Sequence, residues 1–159
     1  MKLQDKIKNN TIIYPLESID KSTTIQELLN CLLKEQFLTA TTKLFSFIEN
    51  HGKIMNPAVG RGIAFHHSSS IEVEDVVAVF GISPFGIDYK SPDQQKVHFV
   101  LLVLDPIDKP TVHRKLIHRF QKFINDLNIK TKLLECESNE QVMKLVFDWE
   151  EKYLLNEEI

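Results

Sequence analysis

Hydrophobic residues recur along this chain with two different spacings, and the spacing separates expected helices from expected strands. Apolar side chains at intervals of three and four predict amphipathic helices over residues 24–35, 39–50 and 110–126. A capping sequence that begins at Ser138 opens a fourth helical pattern. We expect Gly52 to end the second helix, because glycine is common just past a helix C-terminus.

Short apolar runs predict the strands. These runs are residues 12–16, 63–67, 76–82 and 97–104. The last two are almost wholly apolar, which is typical of central strands that are buried on both faces. Residues 131–135 form another short apolar piece that fits either a strand or a turn. The more polar stretches 68–75 and 83–95 are expected to be surface loops.

Helices that precede, separate and follow apolar strands indicate an α/β layer structure. We therefore predict one domain over residues 1–159 with its core at about 10–153. Its mixed β-sheet of about five strands should be flanked by helices on both faces. The tail 156–159 is expected to fray.

Charge and hydropathy exclude several functional classes. The formal net charge is -3 and lysine and arginine form no cluster, so nucleic-acid binding is not expected. The apolar run at 97–104 is too short to span a bilayer, and the first residues lack the apolar core of a signal peptide. The sequence therefore predicts a cytoplasmic protein without membrane insertion.

The candidate chemistry is concentrated near the middle of the chain. Two glycines flank an arginine there, and a short apolar run then ends in paired histidines: Gly60-Arg61-Gly62-Ile63-Ala64-Phe65-His66-His67. Histidine titrates near neutrality and can act as a covalent nucleophile. A histidine at the end of a short strand is thus a candidate nucleophile at an open edge, and a polar cap on the strand is the alternative.

Only one of the two histidines can be that nucleophile, because adjacent strand residues point to opposite faces. His67 is the candidate, and His66 is expected to pack or to lie at the surface. A metal site formed by His66, His67 and His113 is an alternative that the spacing disfavours, since adjacent histidines do not form a spaced ligand pair. We expect neither a metal nor a cofactor.

This stretch resembles the central motif of type-2 enzyme IIA domains of the phosphoenolpyruvate-dependent phosphotransferase system, the fructose, mannitol and nitrogen-regulatory group. That motif is a glycine, one variable residue and Gly-Ile-Ala-Ile-Pro-His, whose histidine carries a phosphoryl group. The resemblance covers about residues 10–153 and places the carrier at His67. It also implies a second histidine at the start of a later helix, which matches His113, with Ile117 as the aliphatic residue four positions on.

Two positions depart from the family pattern. His66 stands where the family has proline, and Ile48-Glu49 matches an Arg-Glu pair whose arginine helps to hold the phosphoryl oxygens. We expect the missing charge to come from Arg61 or Lys53.

Further contacts to the phosphoryl group are expected from His113 and from the serines that follow the motif, Ser68 and Ser69, and Glu49 is a further candidate for the binding site. A carrier of this kind must also dock another protein through a shallow, partly apolar surface. The candidates for that surface are Phe65, Phe85 and Ile87.

The resemblance implies a phosphotransferase component that takes a phosphoryl group from a histidine phosphocarrier protein onto His67 and forms a phosphohistidine intermediate. A domain without fused IIB or IIC parts most resembles the nitrogen-regulatory branch. Two alternatives stay open. One is a regulatory binding module that has lost phosphotransfer, and the other is a sugar-specific IIA component that acts with separate IIB and IIC proteins.

Overall fold

The computed structural model describes residues 1–157 and contains a five-stranded mixed sheet. In chain order its strands are β1 (Ile12–Ile13), β2 (Ala58–Gly60), β3 (Ile63–Ser70), β4 (Val77–Ile87) and β5 (Val97–Pro106). Across the sheet they are arranged β1-β4-β5-β3-β2. β1 pairs with β4 and β3 with β5 in parallel, whereas β4 with β5 and β2 with β3 are antiparallel.

Helices cover both faces of this sheet. They are α1 (Leu3–Lys6), α2 (Lys21–Lys34), α3 (Thr42–Ile54), α4 (His113–Ile124), α5 (Leu127–Glu135) and α6 (Asn139–Glu157). α2 and α3 share one core with one face of the sheet, and α1, α4, α5 and α6 share a second core with the other face. The predicted α/β class with a mixed sheet of about five strands is confirmed. No helix within residues 1–157 is long and apolar enough to cross a membrane.

The two long apolar strands lie next to each other inside the sheet, as predicted. In β5, Leu101 and Val103 belong to the core under α4, whereas Leu102 and Leu104 belong to the core under α2 and α3. All four are fully buried. Burial on both faces explains why β5 reads as a continuous apolar run with no polar alternation.

Two helix boundaries differ from the sequence prediction. α3 continues through Gly52 to Ile54, so Gly52 is a helix residue and not the expected C-cap. Its backbone does not adopt the positive φ that a C-cap glycine uses. α4 begins only at His113, because the chain first turns after β5, where the N–H of Lys109 donates to the carbonyl of Pro106.

Both segments expected to be loops belong partly to strands. Residues 68–70 extend β3, since β5 pairs with them as far as Pro106. Residues 83–87 extend β4, which pairs with the start of β5 through Ile87 and Val97. In each case the backbone hydrogen bonds of the sheet continue past the end of the apolar pattern.

The C-terminal third is more helical than the sequence suggests. The piece 131–135 is the end of α5, which Asp126 caps by accepting a hydrogen bond from the N–H of Asn128 at 3.0 Å. The last helix is confirmed as α6, beginning at Asn139. Of the tail expected to fray, 156–157 are helical and 158–159 lie outside the described residues.

Candidate functional site

His67 lies near the end of β3, on the face of the sheet that α4 covers. Its register partner in β5 is Val103, a residue of the core under α4. The imidazole is only partly buried, and 33% of the side chain is exposed. The strand therefore presents this ring at the boundary between core and solvent.

His113 reaches the same place from the next element of the chain. β5 ends at Pro106, the chain reverses, and α4 begins at His113 above the end of the sheet. The two imidazoles stack, with ring centroids 3.7 Å apart and planes inclined by 23°. Two histidines that are distant in sequence thus form one cluster.

Asp105 joins the two histidines through its carboxylate, which is fully buried at the end of β5. Its Oδ2 accepts from Nε2 of His67 at 3.1 Å and from Nδ1 of His113 at 2.5 Å. Its Oδ1 accepts from the backbone N–H of His113 at 2.8 Å. Because a carboxylate only accepts, Nδ1 of His67 and Nε2 of His113 carry the lone pairs when the rings are neutral.

Burial controls the charge of His67. The pKa of His67 lies below its ordinary value, first because burial disfavours the charged ring and second because a positive His113 repels the added proton. Asp105 acts in the opposite direction, and its effect is smaller. His67 is therefore a neutral imidazole at pH 7, the form that can attack an electrophile.

A shallow groove of about 930 Å³ leads to this ring, and we call it the His67 groove. It runs between α3, the end of β3 and the loop after β5. Its exposed apolar residues are Phe47, Ile71 and Ile107. A contiguous patch of exposed apolar side chains beside a polar centre is typical of a binding surface.

α3 adds a third histidine to the His67 groove. His51 lines the groove, and its charge contributes to the lowered pKa of His67. Its ring is parallel to that of Phe47, with centroids 6.3 Å apart. Ile48 is only 2% exposed and packs in the core with α2 and the sheet. His51, one turn after Ile48, is the polar residue of α3 that lines the groove beside His67.

Residues 5–149 match the family model described as phosphoenolpyruvate-dependent sugar phosphotransferase system, EIIA 2. The chain belongs to this EIIA type-2 family. The resemblance drawn from the central motif is confirmed over most of the sequence.

The known relatives include a fructose-specific protein and nitrogen regulatory proteins. The chain is 27% identical over 146 residues to the PTS system fructose-specific EIIABC component of Bacillus subtilis (strain 168). This alignment covers 92% of this chain and 23% of that relative's length. It is 28% identical over 135 residues to the nitrogen regulatory protein of Bradyrhizobium diazoefficiens. This alignment covers 84% of this chain and 86% of the relative's length. The crystal structure of the nitrogen regulatory protein IIA-Ntr from Neisseria meningitidis shares the fold, with a TM-score of 0.80, 18% identity and coverage of 91% and 98%.

The two residues expected to replace the family arginine lie elsewhere in this EIIA domain. Arg61 is in the turn before β3, and the strand from Gly62 to His67 spans about 16 Å at an ordinary rise per residue. Its backbone N–H donates to Asp93 at 2.8 Å, which fixes that turn at the far end of the strand. Lys53 is exposed and lines a different surface groove. Neither residue is among those that line the His67 groove.

Three further residues are expected at the site: Ser68 and Ser69, which follow the central motif, and Glu49 of α3. Not all of them lie beside His67. Ser68 is 4% exposed and lines the His67 groove, and its hydroxyl donates to the carbonyl of Ser69 at 3.4 Å. Ser69 is half-buried and lies opposite Asp105 in the sheet. Glu49 is half-buried on α3 and is not among the residues that line the His67 groove.

The three residues expected on the docking surface lie in different parts of the structure. Phe85 is 91% exposed, but it lies at the end of β4 that pairs with the start of β5, about 20 Å along the strand from the level of His67. Ile87 is fully buried. Phe65 packs edge-to-face on Phe120 with ring centroids 5.9 Å apart. The exposed apolar side chains beside His67 are those of the His67 groove, and Phe65 lines a second, smaller cavity together with His67.

His66, which stands at the family's proline position, is a core residue. It is 3% exposed on the face opposite His67, and its Nε2 lies 3.0 Å from the hydroxyl of Tyr89. Burial lowers the pKa of His66 to about 3, so it is neutral at physiological pH. The prediction that adjacent histidines face opposite sides is confirmed.

The cluster also has the composition of a metal site, since ligand atoms of His67, Asp105 and His113 lie within 4.8 Å of one another. These three side chains satisfy one another in the structure, because both rings donate to the same oxygen of Asp105. The combination of His66, His67 and His113 does not form, because His66 lies on the other face.

Two residues of this site are not predicted from the sequence. Asp105 was visible as a carboxylate that closes an otherwise apolar strand, and such a residue must find partners when it is buried. His51 lies three residues after Ile48, which places it on a neighbouring part of the same helix surface. Neither Asp105 nor His51 can be connected with His67 until the fold is known.

Proposed function

We propose that this EIIA domain is a phosphocarrier that accepts a phosphoryl group on His67 from a phosphohistidine of a histidine phosphocarrier protein. The observation that carries the proposal is the partly exposed, neutral imidazole of His67, stacked on His113 and hydrogen-bonded to Asp105. His67 also occupies the carrier position of the family motif. The protein is then a phosphotransferase component with a phosphohistidine intermediate.

Transfer between two histidines exchanges one P–N bond for another. The lone pair of His67 attacks phosphorus while the bond to the donor histidine breaks, and that bonding pair returns to the donor ring. Such transfer depends on positioning and on stabilising the negative phosphoryl oxygens. We assign the second task to His113, which stacks on His67, and to His51 and Lys43, which line the His67 groove.

The surroundings of His67 suit a protein as the donor. The groove is open, and the exposed side chains of Phe47, Ile71 and Ile107 line it together with His67. Apolar patches of this kind are buried when two proteins associate. A second histidine can approach His67 only if its carrier covers this surface.

A nitrogen-regulatory role in the cytoplasm is the assignment we make within the family. It is supported by the nitrogen regulatory relative, with which the chain aligns over most of both lengths. A sugar-specific IIA component acting with separate IIB and IIC proteins is the alternative. Onward transfer from the phosphorylated domain to a IIB protein would favour that alternative.

One observation favours a second function, a binding module without phosphotransfer. α3 brings His51 to the groove beside His67 and supplies no arginine there, and the buried carboxylate of Asp105 lies 3.1 Å from the ring that would carry the phosphoryl group. A nearby negative charge opposes the phosphoryl dianion. The module would then recognise its partner through the His67 groove alone.

Incubation with phosphoenolpyruvate, enzyme I and a histidine phosphocarrier protein of the same organism separates the two functions. Intact-mass measurement should show one acid-labile phosphoryl adduct on the wild type and none on His67→Ala. His66→Gln is the matched control, because its ring is buried on the opposite face. A wild type without an adduct, beside partners that phosphorylate another substrate, would support the binding module.

A further inference from the structure

β3 is paired on one side only where it carries His67. β2 pairs with the first two residues of β3, and the last backbone hydrogen bond on that side runs from the N–H of Phe65 to the carbonyl of Pro57 at 3.0 Å. From residue 66 to residue 70, β5 is the one strand within residues 1–157 that pairs with β3. A stretch with fewer backbone hydrogen bonds moves more easily, so its side-chain contacts contribute more to holding it.

The side chain of His66 anchors this stretch in the core under α2 and α3. His66 directly precedes His67, is 3% exposed, and its Nε2 lies 3.0 Å from the hydroxyl of Tyr89. Tyr89 follows β4, is 2% exposed and belongs to that core. Buried polar groups are strongly disfavoured when they lack a partner, so this hydrogen bond restricts where residue 66 can lie.

Tyr89 is itself held by two other parts of the chain. Its hydroxyl interacts with the side chain of Thr24 in α2, and Thr24 donates to the carbonyl of Asp20 at 2.6 Å. The backbone carbonyl of Tyr89 accepts from Nδ2 of Asn56 at 3.5 Å, and Oδ1 of Asn56 accepts from the N–H of Ala58 at 3.0 Å. The position of Tyr89 is therefore set by α2 and by the start of β2.

We propose that Tyr89 is a positioning residue for phosphotransfer, which holds the end of β3 through His66 so that His67 meets the donor ring at one fixed angle. The inference rests on the proposed phosphocarrier function and adds a residue that does not touch the phosphoryl group. Where the family motif has a proline, whose ring fixes φ by itself, this chain has a histidine that is fixed by a partner in the core.

The expected effect is on the rate of transfer and not on binding of the partner. Tyr89 is not among the residues that line the His67 groove, so the docking surface keeps its composition in Tyr89→Phe. The attacking nitrogen must lie in line with the breaking P–N bond, and a misplacement of about 1 Å can cost about a hundredfold in rate. Loss of one anchoring hydroxyl should cost about tenfold, since β5 still pairs with the strand.

The test measures phosphotransfer to the full chain by rapid quench at increasing concentrations of phosphorylated histidine phosphocarrier protein. Tyr89→Phe should lower the maximal rate about tenfold and leave the concentration for half-saturation unchanged. The matched control is Tyr14→Phe, which removes the hydroxyl of a half-buried tyrosine in the core on the other face of the sheet. It should leave both constants unchanged, and an equal fall of the rate in the two variants would overturn the proposal.

A double-mutant cycle asks whether Tyr89 acts through His66. His66→Leu removes the partner of the hydroxyl, whereas the side-chain amide of His66→Gln can still bond to it. Tyr89→Phe should therefore lower the rate in the His66→Gln background and have no further effect in the His66→Leu background. A tenfold fall in folded His66→Leu as well would show that Tyr89 acts by another route, and would overturn the proposal.

Long-range ¹H–¹⁵N spectra of the imidazoles give a readout that a loss of stability alone does not change. In the unmodified wild type, His67 should show one set of ring signals. In folded Tyr89→Phe these signals should broaden or split, because the ring samples more than one position. The signals of His98, whose Nδ1 lies 2.8 Å from the carbonyl of Ser83, should stay as in the wild type.

The two proposals fail in different ways. Transfer to Tyr89→Phe at the wild-type rate, or an unchanged His67 spectrum in that variant, overturns the role of Tyr89 and leaves the phosphocarrier function intact. A wild type that forms no adduct on His67 defeats the phosphocarrier function, and the His67 spectra then decide whether Tyr89 holds the ring.

Discussion

The imidazoles of His67 and His113 stack at a centroid distance of 3.7 Å while both donate to the same oxygen of Asp105. His113 thereby holds the His67 ring in position, and a positive charge on His113 disfavours protonation of His67. The pair is therefore a coupled unit, and its parts should not respond independently to mutation or pH.

Replacing His113 should raise the pKa of His67. His113→Ala removes a positive charge that disfavours protonation of His67, uncovers part of the ring and leaves Asp105 to His67 alone. NMR titration of the His67 ring should show a higher midpoint than in the wild type. The exposed His118 on α4 provides the control His118→Ala, which should leave the midpoint unchanged. An equal or lower midpoint in His113→Ala would contradict the coupling.

His51→Arg should accelerate phosphotransfer, because it places a bidentate cation on the α3 position that lines the His67 groove. One preorganised donor is worth about a hundredfold in rate, which sets the upper range of the expected gain. Rapid-quench measurement of adduct formation provides the rate.

Ile48→Arg is the informative comparison for that variant. Ile48 is 2% exposed, so the substitution buries an unpaired charge. Its cost should be about 3 kcal/mol or more of unfolding free energy, measured by urea denaturation. If Ile48→Arg folds normally and gains rate while His51→Arg does not, position 48 is the phosphate-binding position after all.

A charge in the His67 groove should weaken the carrier complex. Phe47→Asp and Ile71→Asp each place a carboxylate on exposed apolar surface that we expect the partner to cover. The loss should be about tenfold or more in affinity, since central apolar contacts are commonly worth more than 1 kcal/mol. Isothermal titration calorimetry with the histidine phosphocarrier protein measures it. Phe85→Asp, at the far end of β4, should bind like the wild type, and equal losses in all three variants would refute this docking surface.

His66 should make stability depend on pH on the acid side of neutrality. Burial lowers its pKa to about 3 in the folded protein, whereas an exposed histidine titrates near 6.5. The unfolded chain therefore binds a proton that the folded chain does not, and stability falls as pH drops from about 6.5 towards 3. Each pH unit costs about 1.4 kcal/mol within this window.

The contribution of His66 is measured as the difference between the wild type and His66→Gln in urea denaturation across pH 4 to 7. The variant lacks this proton uptake, so its stability should fall less steeply with acid. Parallel curves for the two proteins would show that His66 is protonated or exposed in the folded state.

The sequence predicts the parts of this fold that depend on apolar periodicity. Strands 76–82 and 97–104 follow from their composition alone, because burial on both faces needs apolar side chains at every position. The motif also places the candidate nucleophile at His67. In contrast, the extension of β3 through its serines is set by pairing with β5, which the polar side chains do not reveal.

The candidate site is harder to predict from the sequence, because its residues come together only in the tertiary structure. Asp105 and His113 meet His67 only after β5 pairs in parallel with β3 and α4 folds back over the strand end. Ile48 and His51 are less than one turn apart on α3. Which of the two faces His67 depends on which side of the helix packs on the sheet. Local patterns fix such a rotation only approximately.

Mapping the phosphoryl group to a single residue decides whether His67 is the carrier. The wild type is phosphorylated with its histidine phosphocarrier protein, digested at neutral or alkaline pH and fragmented by electron transfer, which preserves phosphohistidine. The phosphoryl group should lie on His67 and on no other histidine of its peptide. A group on His113 or His51, or an adduct of equal size on His67→Ala, would contradict the assignment of His67 as the carrier.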